Sequence, residues 1–241
     1  MQARLNQQLF HTSTHDSGAL GVLAMVIHQF GTVGRHRVVV MSHGRPVAEL
    51  GFDVDATSTV MQHDIDLALA AHPGRQQPEA CGCKGAVPSM GTVSPQGHVL
   101  FHASSGQGYS VVVHNADGKP VFDSRRLDDG DLFAVTLLEP TRYTLQNTIG
   151  AATGEIEVAF NDEIAKRIRQ LETRYVDVQE KGFGSDRIEL ASTQGLVFRI
   201  QGASRIVIQK HAPRKNDTPD ARQPVIRWQK PPTRSTSVGS A

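Results

Sequence analysis

Two cysteines separated by one glycine, Cys81-Gly82-Cys83, are the sharpest chemical feature of the sequence. Paired with each other they would close a strained ring, so a mutual disulfide is disfavoured. As thiolates they could both turn towards one soft metal ion, Zn or Cu(I). Two ligands do not make a site: structural zinc usually spaces its cysteines by roughly two to four residues and takes a second pair. His72, His98, His102 or a partner chain would have to complete the shell. Reduced loop thiols in a reducing compartment are the simpler reading of Cys81 and Cys83.

Histidine is abundant, with 11 residues, and His11/His15 and His98/His102 are each spaced by four. On a helix the first pair would share a face, but no glutamate of a zinc-protease motif accompanies it. On a strand the second pair would lie ~13 Å apart, too far to chelate one ion. Surface or internally satisfied histidines are expected at both. Asp128, Asp129 and Asp131 are turn acids that could ligate calcium, although their spacing does not match a helix-loop-helix site. Gly106-Gln107-Gly108 and Gly182-Phe183-Gly184 do not complete a phosphate-binding fingerprint and read as hairpin turns. There is no Gly-x-Ser-x-Gly elbow, and no paired carboxylates stand apart from the turn acids.

Charge separates the chain into two parts. The net charge is +1, but residues 210–241 hold seven Lys and Arg against two Asp, leaving 18 basic and 22 acidic residues before them. The body is therefore about −4 and the tail about +5. In that tail, Arg222 and Arg227 flank Val225, Ile226 and Trp228, the only compact apolar cluster after His211. Basic residues around one Trp could contact phosphates and stack a base. The prolines 219, 224, 231 and 232 favour instead an extended strap that docks on another protein subunit and orders only there.

The elements that would position these groups are short. Aromatics are 5% of the chain while Gly counts 22 and Pro 12, a mixture that favours many strands separated by turns over a few long helices. An apolar run over residues 20–30 reads as a strand. Residues 37–41 and 47–54 read as a hairpin around Ser42-His43-Gly44-Arg45-Pro46. Thr57 or Ser58 is placed to cap a helix from about Ser58 to His72, on the spacing of Met61, Ile65 and Ala68 or Leu69. A ladder of strands follows at 98–103, 109–114, 120–123, 132–138, 143–147 and 155–160, split by turns such as Asn115-Ala116-Asp117-Gly118. Asn161 is placed to cap a second helix carrying Ile164, Ile168 and Leu171 on one side. Strands at 174–178 and 187–190 come next, then a pair at 195–200 and 204–210 joined by Gln201-Gly202-Ala203. No repeat of fixed period is visible.

The ladder, with Pro140-Thr141-Arg142-Tyr143 feeding one strand and a loop leading into the last, resembles cupredoxin-like or immunoglobulin-like sandwiches in pattern. That resemblance implies a sandwich over roughly a quarter to a third of the chain. A type 1 copper site would need Cys, His and Met ligands in the final loop, and Thr148 to Gly154 contains none of them. Blue-copper chemistry is therefore disfavoured even on that fold.

These readings give a mainly β protein with a minor α component: a β-sandwich-like central region, two short helices, and extended N- and C-terminal segments. The expected organisation is a polar arm over 1–17, a hairpin-plus-helix region over 18–73 and a cysteine-containing linker over 74–96. A sandwich-like core over 97–160, a helix and strands over 161–210, and a basic extended tail over 211–241 complete it. The expected function is that of a non-catalytic structural or accessory subunit. It would bind protein partners, or further copies of itself, through its ends. The alternative is a metal-binding or redox accessory protein using Cys81 and Cys83, and an enzyme is the less favoured class. The apolar stretch at 19–27 is too short to span a bilayer and follows no basic leader, so a cytoplasmic protein with no membrane span is expected.

Overall fold

The computed structural model of the protein describes residues 12–72, 89–160 and 171–211. Among them the chain is mainly β: seventeen strands and one short helix, arranged in three sheets. The first strands are β1 (Thr14–Asp16), β2 (Ala24–His28), β3 (Gly34–Ser42), β4 (Arg45–Val54) and β5 (Gln62–Asp66), followed by helix α1 (Leu67–Ala71). Then come β6 (Ser89–Val93), β7 (His98–His102), β8 (Tyr109–His114), β9 (Pro120–Asp123), β10 (Leu132–Thr136), β11 (Arg142–Asn147) and β12 (Thr153–Ala159). The last are β13 (Arg174–Gln179), β14 (Gly182–Phe183), β15 (Arg187–Ala191), β16 (Gly195–Ile200) and β17 (Ile206–Lys210). No helix among the described residues is long and apolar enough to cross a membrane.

A seven-stranded sheet runs in the order β14-β13-β16-β10-β2-β7-β5. Two five-stranded sheets run β6-β4-β3-β8-β9 and β1-β17-β11-β12-β15. The pairing repeats itself. From β2 onward the chain lays down a central strand, an outer hairpin (β3 with β4), and then β5, β6, β7 and β8 alternately in the central and outer sheets. In that half β5 is parallel to β7 and β4 parallel to β6, while the remaining pairs are antiparallel. From β10 onward β11, β12, β13, β15, β16 and β17 repeat the same order and the same senses. Even the outermost place recurs: β9 lies antiparallel on β8, and β1, from the other end of the chain, lies antiparallel on β17. This repeat was invisible as a sequence period because it lives in strand pairing, and its connections differ in length.

The two halves share one core. Directly opposed residues in neighbouring strands point to the same side of a sheet, and such a row crosses the large sheet as Ile65, Phe101, Val26, Phe133, Phe198 and Val176. All six are buried in a single cluster that also takes in Phe52 and Val113 of one outer sheet and Ile156 and Ile208 of the other. Phe101 stacks on Phe122 of β9 with ring centroids 5.6 Å apart. Both outer sheets thus pack on the same face of the central sheet.

Several expected elements hold. The hairpin turn is His43-Gly44, both with positive φ (49° and 76°), the mirror-image turn whose twist suits two paired strands. Pro46 then sits at the register shift opposite Met41, where a strand tolerates its missing N–H. The expected helix from Ser58 to His72 is corrected: its first half is β5, and only Leu67–Ala71 is helical. Asp66, not Thr57 or Ser58, is the cap, its Oδ1 accepting from the Ala68 and Leu69 N–H at 2.9 and 3.2 Å. The spacing of Met61, Ile65 and Ala68 or Leu69 misled because Met61 and Leu69 are 53% and 48% exposed, while the buried Ile65 lies in β5 and the buried Ala68 in α1. Parallel pairing with β7 decides the matter for β5.

The strands at 195–200 and 204–210 form, but not as a hairpin. β16 belongs to the central sheet and β17 to an outer one, with Gln201-Gly202-Ala203 crossing between them. β1 arises within the stretch read as an arm, and β6 within the stretch read as a linker. The second expected helix, capped by Asn161, lies outside the described residues for most of its length.

Candidate functional site

The cysteine pair singled out for metal binding and the tail residues singled out for partner binding do not fall within the described parts of the chain. Cys81 and Cys83, and Arg222, Val225, Ile226, Arg227 and Trp228, all lie outside them. Among the described residues no group of three or more His, Cys, Asp or Glu side chains is placed to hold a metal ion.

The histidines divide by environment. His15 is 5% exposed, opposite Ile208 of β17, and burial pushes its pKa down to about 4. His36 is buried and stacks on Phe52 with centroids 5.2 Å apart, and burial likewise lowers its pKa. His98 and His102 occupy the two ends of β7 and share its outward side, apart along the strand as expected.

One imidazole is held by a carboxylate. His28 ends β2, and Asp131 sits directly before β10, on the inner side shared with Phe133. His28 Nδ1 lies 2.5 Å from Asp131 Oδ1, and Asp131 Oδ2 accepts the Asp128 N–H at 2.8 Å. With the carboxylate ionised, Nδ1–H is the donor and Nε2 is left as the acceptor. The ring is flanked by Phe30 and Phe122 at 4.4 and 4.6 Å. Carboxylate and imidazole alone could relay a proton, but nucleophilic catalysis also needs a hydroxyl or thiol within reach of the second nitrogen. No such hydrogen bond is formed among the described residues.

Asp131 also lines a depression open to solvent, together with Asp129, Leu132, Asp177, Arg199 and Gln201. Its one cation is already engaged: Arg199 binds Asp177 through Nε and Nη2 at 2.7 and 3.0 Å and lies over the Tyr175 ring at 5.7 Å. Asp128 faces Arg126 at 3.6 Å. The turn acids therefore close the loop into β10 and brace its neighbours.

The depression opens onto a larger feature. Residues one step out of phase with the buried row point to the other side of the central sheet. One outward row runs Asp64, Leu100, Ile27, Leu132, Arg199, Asp177. The next runs Asp66, His102, Met25, Ala134, Val197, Tyr175. Its middle is apolar, and Met25, Ile27, Leu100, Leu132, Ala134 and Val197 are all half-buried, each keeping surface open to solvent. The outward faces of the small sheets carry ion pairs, with Arg35 facing Asp53, Arg37 facing Glu49, and Arg142, Glu157, Arg187 and Glu189 in one network, beside the opposed Val39 and Val112 of β3 and β8.

This face went unnoticed in the sequence, yet it leaves a signal. The strands that carry it read as unbroken apolar runs, Ala24-Met25-Val26-Ile27, Val99-Leu100-Phe101, Leu132-Phe133-Ala134-Val135 and Leu196-Val197-Phe198. Some outer strands alternate, as in Glu155-Ile156-Glu157-Val158, whereas β3 and β8 also carry apolar runs, Val38-Val39-Val40-Met41 and Val111-Val112-Val113. Continuous runs mark strands apolar on both sides.

Compared with known proteins, the chain matches no family model, no curated protein and no solved structure.

Proposed function

We propose that the protein is a non-catalytic structural or accessory subunit of a larger protein assembly, working in a reducing compartment such as the cytoplasm. Its β-sandwich-like body is the rigid part, and its terminal segments, with Arg222, Val225, Ile226, Arg227 and Trp228 in the basic tail, grip its partners. The observation that carries this reading is the apolar outward face of the seven-stranded sheet. Contiguous apolar surface left open to solvent on a folded protein marks an interaction site, and the outward faces of the neighbouring sheets carry ion pairs among their residues. The engagement of Asp131 with His28, and of Asp177 with Arg199, supports a bracing role for those groups over a catalytic one.

The test is size-exclusion chromatography with light scattering on protein co-purified from its native host. Co-elution in a complex is expected, and deleting residues after His211 should abolish assembly while the body stays folded. A lone monomer without partners would overturn the proposal.

A further inference from the structure

We infer that the outward face of the seven-stranded sheet is a docking site for a basic, amphipathic segment of a partner protein. The inference rests on the accessory-subunit reading and extends it from the ends of the chain to its body.

Shape and charge both select the occupant. The apolar stripe runs obliquely over β7, β2, β10 and β16, with Leu100, Ile27 and Leu132 in one row and Met25, Ala134 and Val197 in the next, about 14 Å across the strands and about 7 Å along them. That is a narrow strip, matching the apolar side of about nine residues of helix at 1.5 Å per residue. It is too narrow for a second sheet to lie on in register. Its borders are acidic. Asp64 and Asp66 stand at the β5 end, Asp177 at the β13 end, and Asp129 beside Leu132 in the adjoining depression. Among the described residues of this face one cation, Arg199, stands against these four carboxylates; it is bound to Asp177, and Asp66 also caps α1. A second copy presenting the same face would bring like charges together, and an anionic membrane surface would be repelled. A segment with apolar residues on one side and Lys or Arg on its shoulders satisfies both the stripe and the rim.

The experiment uses the full-length chain and a fluorescein-labelled 18-residue Leu/Lys amphipathic peptide, followed by fluorescence anisotropy. A Leu/Glu peptide of the same periodicity is the control. Saturable binding of the Leu/Lys peptide is expected, at least tenfold tighter than the control. Ile27→Glu and Leu132→Glu should each weaken it at least tenfold, with circular dichroism and melting temperature checking that the fold survives. Asp64→Lys lies outside the stripe at an exposed position of β5, so it tests the rim independently; a loss of about threefold that vanishes in high salt is expected. Equal affinity for the two peptides, no saturable binding, or binding indifferent to all three substitutions would overturn the inference. So would preferential binding to vesicles containing phosphatidylserine, or a homodimer that Ile27→Glu dissociates. If peptide binding fails while native partners still co-purify, the docking site falls and the accessory-subunit reading stands.

Discussion

Replacing His15 with leucine should flatten the acid side of the protein's stability profile. His15 is 5% exposed in β1, and burial holds its pKa at about 4 against 6.5 for a free imidazole. Folding therefore keeps it neutral, whereas the unfolded chain takes up its proton below pH 6.5. Between those values the unfolded state binds more protons, so stability falls as pH falls, and the loss is complete only below about pH 4. Each step of one in pH below 6.5 removes about 1.4 kcal/mol, so the wild type loses about 2 kcal/mol through this residue by pH 5 and about 3 by pH 4. His36 and His63 are also lowered by burial, but they titrate in both proteins and cancel in the comparison. The assay is urea unfolding of wild type and His15→Leu at pH 7.5, 6.0, 5.0 and 4.5. The gap between the curves should move in favour of the variant by about 2 kcal/mol from pH 7.5 to 5. Parallel curves would refute the reasoning, for they would mean that His15 is as free to take a proton in the folded protein as in the unfolded chain.

Two further outcomes follow from the shared core and its polar joints. Phe133→Ala removes a fully buried ring stacked on Phe198 at 6.0 Å and should cost about 3–5 kcal/mol. Because both halves share one sheet, fluorescence and circular dichroism should still report a single transition, and two separated transitions would contradict a common core. Asn147 is buried, its Oδ1 accepting the N–H of Ile149, Gly150 and Arg205 at 3.3, 3.1 and 3.1 Å and its Nδ2 donating to Ser204 at 3.0 Å. Asn147→Ala should cost about 3 kcal/mol in denaturant unfolding, with Asn147→Asp milder because the three acceptor bonds survive.

The strands from His98 to Ala159 were legible because local chemistry writes them twice, in runs of β-formers and in the turns between. Asn115 closes its turn by accepting the N–H of Asp117 and Lys119 at 3.1 and 2.9 Å, a local bond that needs no tertiary partner. β5 was not legible. Gln62-His63-Asp64-Ile65-Asp66 has one apolar residue, and its extended state comes from the ladder to β7, whose residues lie 36 positions further along the chain. The same holds for β1, a three-residue strand secured to β17 and by the pair of Asp16 with Arg205 at 2.8 Å. The candidate site was half legible: the apolar runs stood in the sequence, but which of their residues turn outward depends on register.

By itself the sequence determined that this protein is built of short strands with few helices, carries its basic charge at one end, and offers no ready catalytic motif. Those properties follow from composition and from interactions within a few residues. Tertiary structure alone decided that the strands of the described residues form three sheets with a repeated pairing order, that His28 meets Asp131, and that an apolar strip bordered by carboxylates faces outward. Each of these joins residues far apart in the chain, and a strand's period of two fixes which residues share a side without fixing which side is covered.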